Sequence, residues 1–158
     1  MLHRISACLV AMALVIGLGT SAKAENTLLT VTFDGKTHSF DAAALEKLGL
    51  EVVETSTIWT EGVQRFEGVS LAVLAAEIGA TEGKFLATAI NDYTIEIPLS
   101  DATENGPVIA MRVNGEEMSV RDKGPLWIIY PYDANADYRT EVIYSRSIWQ
   151  LDRIEVVQ

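Results

Sequence analysis

Residues 108–130 read VIAMRVNGEEMSVRDKGPLWIIY, and the fold class follows from this stretch. Val108 to Val113 is an apolar run of strand length, and Glu117 to Val120 is a second, shorter one. Asn114-Gly115 lies between them, and both residues accept the positive φ that a tight hairpin needs. Arg121 to Pro125 is then a charged loop. Leu126 to Tyr130 is an apolar, aromatic strand expected at the centre of a sheet.

Working outward, Leu28 to Phe33 and Lys36 to Phe40 form a hairpin around Asp34-Gly35. Asp41 caps a short helix that runs through Leu48 and stops at Gly49. Leu50 to Thr55 reads as a buried strand. An irregular stretch from Ser56 to Gly62 holds Trp59, and Val63 to Phe66 is extended. Ser70 caps a second helix over Leu71 to Ile78, with Leu71, Leu74, Ala75 and Ile78 on one face and Gly79 as its stop. Lys84 to Ile90 and Tyr93 to Ile97 are strands around an Asn91-Asp92 turn. Pro98 to Gly106 is a polar connection with room for one helical turn, and Pro131 to Thr140 is a loop. Leu151 to Val157 is a final strand. The expected architecture is α+β: one domain, mixed or antiparallel sheets, and two inserted short helices.

The chain has 158 residues, with 12 Lys and Arg against 22 Asp and Glu and a formal net charge of −10. That balance opposes binding to nucleic acid or to an anionic membrane surface, because no basic cluster offsets it. A hydrophobic fraction of 49% excludes a disordered chain. Residues 1–24 have the parts of a secretory signal peptide. Arg4 gives the charged start, Ile5 to Leu18 the apolar run, and Ala22-Lys23-Ala24 the small-x-small cleavage site. The run is shorter than the roughly 20 residues of a spanning helix. The expectation is therefore a cleaved leader, a domain over 25–158, export to the periplasm by the general secretion route, and no insertion into the membrane. No twin-arginine pair is present. Loss of Arg4 and Lys23 deepens the negative charge by two. The sole cysteine, Cys8, leaves as well, so the exported domain has no thiolate to serve as nucleophile or metal ligand.

Chemistry-bearing residues cluster late in the chain. Trp127, Tyr130, Tyr132, Tyr138, Tyr144 and Trp149 are half of all its aromatic residues. The outer ones alternate with Asp133, Asp137, Arg139 and Arg146. Rings beside charged groups suit a flat, polar heterocycle, stacked on its faces and read along its edge. Trp59, Arg65 and the hydroxyls of Thr55, Ser56, Thr57 and Thr60 form a second group, Asn91-Asp92-Tyr93 a third, and Arg121-Asp122-Lys123 a fourth. In each case the plain alternative is an ordinary loop or a solvated charge cluster. His38 has no His or Cys partner for a metal, no Ser-His-Asp set can be assembled around it, and no glycine-rich phosphate loop is present. The residues favour a binding domain over an enzyme, with no catalytic or metal-ligating set.

Several strings, in order, resemble the sulfite-oxidase-type molybdopterin-binding fold. They are Arg65-Phe66-Glu67-Gly68-Val69-Ser70-Leu71 with Leu74, and Ala89-Ile90-Asn91-Asp92-Tyr93 with Ile97-Pro98. Asn114-Gly115 follows, then Gly124-Pro125-Leu126-Trp127 with Tyr130-Pro131, and finally Arg146 to Leu151. Catalytic members of that family ligate molybdenum through a cysteine whose place falls near Ser56 here, among Thr55 and Thr57, and neutral hydroxyls replace a soft thiolate poorly. The chain therefore resembles the metal-free, exported, PruR-like branch. That resemblance implies a reduced, metal-free pterin as ligand and a membrane-bound signalling partner, such as a cyclic-di-GMP enzyme, that reads its occupancy. The alternative it leaves is a molybdopterin-dependent oxidoreductase subunit. Carried over residue by residue, it makes Trp59 and Trp149 stacking walls, with Tyr93 or Tyr144 beside them. Asp92 or Asp122 would accept the pterin's paired N–H groups. Asn91, Arg65 and Arg146 would donate to its acceptors.

Overall fold

The computed structural model describes residues 26–158, so the expected leader lies outside the described residues. Two five-stranded sheets form the framework. The first is built from β1 (Leu29–Phe33), β2 (Lys36–Phe40), β5 (Lys84–Ala89), β6 (Thr94–Pro98) and β10 (Leu151–Val157). Its order is β2-β1-β10-β5-β6, and only the β1–β10 pair is parallel. The second is built from β3 (Glu51–Ser56), β4 (Val63–Ser70), β7 (Val108–Val113), β8 (Glu116–Glu117) and β9 (Trp127–Ile129). Its order is β3-β4-β7, with β8 and β9 both pairing with β7. With three short helices, α1 (Ala42–Lys47), α2 (Leu71–Ile78) and α3 (Glu141–Arg146), the chain is a single α+β domain with mixed sheets. No helix among the described residues is long and apolar enough to cross a membrane.

Local chemistry explains most of these elements. Asp34 and Gly35 (φ 48° and 70°) close the β1–β2 hairpin, and Asn114 and Gly115 (φ 53° and 86°) close β7–β8. Asp41 caps α1 by accepting from the Ala44 N–H at 2.7 Å. The Ser70 side chain accepts from Ala72 at the start of α2, and Gly79 ends that helix in the left-handed conformation. Leu71, Leu74, Ala75 and Ile78 are its buried face, as the periodicity predicts. Gly68 marks a register shift between β4 and β7, where a Cβ would lie 2.0 Å from the Ile109 carbonyl oxygen, so only glycine fits.

Four expectations are corrected. A third helix, α3, follows the predicted loop; Thr140 caps it through the Ile143 N–H. Strand β3 is an edge strand with Val52 and Glu54 exposed, not a buried one. Strand β8 is only two residues long, because Val120–Asp122 winds into a 3₁₀ turn and leaves the sheet. Leu126 to Tyr130 is fully buried, but its strand pairs in the sheet only with β7. The other side of β9 is closed by residues 148–151, through the Ile128 N–H to the Ile148 carbonyl and the Leu151 N–H to the Leu126 carbonyl. That closing segment carries Trp149 and Gln150 to the edge of the core.

Candidate functional site

Where β3 ends, the chain swings through residues 57–62 and lays the Trp59 indole across the late aromatic segment. Trp59 meets Trp127, Tyr132, Tyr144 and Trp149 edge to face, with ring centroids 5.7, 6.4, 5.8 and 5.8 Å away. Such contacts are each worth about 0.5–1.5 kcal/mol beyond burial. The loop is tied down at its base. Asp133 accepts from the Ser56 backbone N–H at 2.6 Å and from its hydroxyl at 2.7 Å, while the Asp133 N–H donates to the buried Thr55 hydroxyl at 3.1 Å. The Ser56 backbone and then the Ser56 hydroxyl hold the Asp133 carboxyl below its ordinary range.

Outside this cluster lies a cavity of about 360 Å³. Its walls are Trp59, Tyr93, Tyr144 and Trp149, and its remaining lining is Ala89, Asn91, Ser145, Ser147, Ile148 and Gln150. Helix α3 supplies Tyr144 and Ser145, the loop after β3 supplies Trp59, β5 and its turn supply Ala89, Asn91 and Tyr93, and the segment before β10 supplies the rest. Because Trp59 and Trp149 touch each other, they form adjacent walls of a corner and not two sides of a slot. A flat ring would lie on one of them and abut the other. On the far side of Trp149 and Trp127, the Lys123 ammonium sits 5.3 and 5.6 Å from the two ring centroids and braces both indoles.

Of the nine residues proposed from sequence, Trp59, Asn91, Tyr93, Tyr144 and Trp149 come together at this cavity. The four charged ones do not. Arg65 pairs with Glu67 in a ladder over the second sheet that continues through Arg112 to Glu46. Asp92 pairs with Arg153, whose guanidinium that hydrogen bond holds more firmly protonated. Arg146 donates to Asp101 at 2.8 Å, and the buried Tyr130 hydroxyl donates to the same carboxylate oxygen at 2.7 Å. Asp122 accepts from the Ser119 hydroxyl at 2.7 Å and borders a separate hollow of about 350 Å³ on the other side of Trp59, with Arg121 and Lys123. The cavity lining is thus free of ionisable acids and bases apart from its tyrosines.

Sequence reasoning missed Gln150 altogether. Its φ is +52°, a left-handed value rare for a residue other than glycine, and no residue-level signal announces it. Asp92 (φ 67°) and Lys123 (φ 74°) share that conformation next to the same cavity. Gln150 is tied to both neighbouring segments, since its N–H donates to the Lys123 carbonyl and its carbonyl accepts from the Ile90 N–H. Strained backbone held by several partners is frequent where a ligand is gripped. A hollow of about 440 Å³ between α1 and β7 is larger, but Ala42, Ala43, Met111 and Met118 line it without an aromatic wall. Its Asp41 is spent on capping α1 and its Arg112 on Glu46. Among the described residues, no group of three or more His, Cys, Asp or Glu side chains is placed to hold a metal ion. The chain matches no protein-family model and no curated protein.

Proposed function

We propose that this chain is a periplasmic, non-catalytic sensor that binds a reduced, metal-free pterin in the Trp59 cavity. Its occupancy is relayed to a membrane-bound signalling protein, such as a cyclic-di-GMP enzyme. In this reading the domain is the metal-free form of the sulfite-oxidase-type molybdopterin-binding fold. The observation that carries it is the cavity itself: four aromatic side chains around about 360 Å³, a volume in the range of small-molecule sites with walls suited to a flat heterocycle. A pterin ring fits these walls. A protein-ligated molybdenum does not, since the Ser56 hydroxyl donates its proton to Asp133 and is neither ionised nor free.

The relay is supported by the rim. Tyr93 and Trp149 border the cavity and are 54% and 39% exposed; Ile58 and Ile90, next to the lining residues Trp59 and Asn91, are exposed too. A protein seated on such a rim would touch both the bound ring and its frame, so its affinity would depend on occupancy. The chain's negative charge favours a basic partner surface.

The test is the mass and absorbance spectrum of whatever copurifies with protein isolated from the periplasm, alongside elemental analysis. A pterin at near-stoichiometric level without molybdenum is expected. Stoichiometric molybdenum, or protein that neither retains a pterin nor binds one when it is added, overturns the reading.

A further inference from the structure

Two side-chain amides line the cavity, and the backbone fixes which way each one points. The Asn91 side chain accepts from the Tyr93 N–H at 3.2 Å. An N–H requires an oxygen, so the Asn91 oxygen faces its own turn and its NH₂ group is left over. The Gln150 side chain donates to the Val120 carbonyl at 2.6 Å. A carbonyl requires a nitrogen, so one Gln150 N–H is used there, the NH₂ is turned toward Val120, and the Gln150 oxygen is left without a partner. The two residues are neighbours, since the Ile90 N–H donates to the Gln150 backbone carbonyl at 2.9 Å. The aromatic corner is therefore edged by one free amide donor and one free amide acceptor, with no carboxylate or cation in the lining to override them.

Resting on the reading of this cavity as a flat-ring site, we propose that it selects rings with a cyclic amide edge, an N–H next to a C=O. The ring N–H donates to the Gln150 side-chain oxygen, and the ring carbonyl accepts from the Asn91 NH₂. This replaces the carboxylate recognition expected at Asp92 or Asp122, both of which are engaged elsewhere. It also makes the ligand an uncharged heterocycle that presents its lactam form. Gln150 combines a left-handed backbone with an amide NH₂ held on the Val120 carbonyl, and its oxygen has no partner among the described residues.

A matched pair of probes separates this inference from the reading beneath it. 6-Methylpterin carries the N–H and C=O side by side. In 2,4-diamino-6-methylpteridine the same two positions are a bare ring nitrogen and an amino group, so donor and acceptor are exchanged. Binding to the full chain is followed by quenching of tryptophan fluorescence. The lactam is expected to bind at least tenfold tighter, since a built hydrogen-bonding edge rejects the reversed one strongly. Asn91→Asp keeps an oxygen for the Tyr93 N–H, so the turn survives, but turns the free donor into an acceptor. It should collapse or invert the preference. Gln150→Met, which removes the acceptor, should reduce the ratio as well. Equal affinity of the two probes for the wild-type protein, or a ratio unchanged in both variants, overturns the lactam assignment and leaves the flat-ring reading standing. Failure of both probes to bind at all overturns both.

Discussion

Two layers of aromatic side chains lie against each other in this molecule, and they differ in what happens to their polar ends. In the inner layer, Trp127 donates its indole N–H to the Ser147 carbonyl at 3.1 Å, and Tyr130 donates to Asp101. Tyr132 donates to the Ser147 hydroxyl, which in turn donates to the Ile143 carbonyl. All three rings are at most 2% exposed. In the outer layer, Trp59, Tyr93, Tyr144 and Trp149 line the cavity, and their hydroxyls and indole N–H groups have no such partners among the described residues. The same residue types thus serve two ends. A ring whose polar end is satisfied inside the protein is there for the core, and one whose polar end is left open at a cavity is available to something else.

The largest effect should come from the inner layer. Trp127→Ala removes a buried indole that contacts Phe66 and Trp59, and should cost about 3–5 kcal/mol in urea unfolding. A loss under about 1 kcal/mol would mean that the inner ring is no more structural than the outer ones. Alkali should expose the same layer. Burial pushes the Tyr132 hydroxyl from its ordinary 10.0 up to about 12, and burial together with Asp101 raises Tyr130 further. The unfolded chain gives up these protons first. Stability is therefore whole below about pH 10 and falls as pH rises from there, by roughly 1.4 kcal/mol per pH unit for each tyrosine. Tyr132→Phe should reduce that slope, and an unchanged slope would remove Tyr132 from the inner set.

Trp59 belongs to both layers and should behave as an intermediate. It is half-buried, touching Trp127 and Tyr132 inside and Tyr144 and Trp149 outside. Trp59→Ala should cost about 2 kcal/mol of stability by the lost ring contacts, and abolish detectable binding of 6-methylpterin. Retained binding at wild-type affinity would move the ligand away from this corner.

How much of this was legible in the sequence depends on the range over which the causes act. Asn114-Gly115, Asp41 and the Ser70 to Gly79 helix obey rules that span a few residues, and they were readable. The five uncharged candidates were drawn from aromatic rings and an amide crowded into loops, and the fold gathers them round one cavity. The four charged candidates were not separable. Asp92 and Arg146 are claimed from far along the chain. Arg65 and Asp122 are taken by near neighbours, Glu67 and Ser119, through a geometry that residue type does not reveal. Asp101 reaches Arg146 over 45 residues, and Asp92 reaches Arg153 over 61. The Asp133 clamp on Ser56 spans 77. Trp127 and Trp149 look alike as letters; only the pairing of β9 with β7 on one side and residues 148–151 on the other makes one core and the other wall. Gln150 was invisible because no local signal announces its left-handed backbone or the bond of its amide to Val120.

The smallest expected stability change is the most discriminating test of the two-layer picture. Tyr93 is 54% exposed, its ring meets no other aromatic ring within the described contacts, and its backbone N–H, not its side chain, holds the Asn91 turn. Tyr93→Ala should therefore leave urea unfolding within about 0.5 kcal/mol of wild type. The same change removes one wall of the cavity, and a stacking ring is worth about 1–3 kcal/mol to a flat ligand, which is roughly a fivefold to 150-fold loss of 6-methylpterin affinity. A residue that matters to binding and not to folding is what an outer-layer ring should be. Were Tyr93→Ala to lower stability by as much as Trp127→Ala while sparing affinity, the layers would have to be exchanged, and the cavity would be a defect in packing instead of a site.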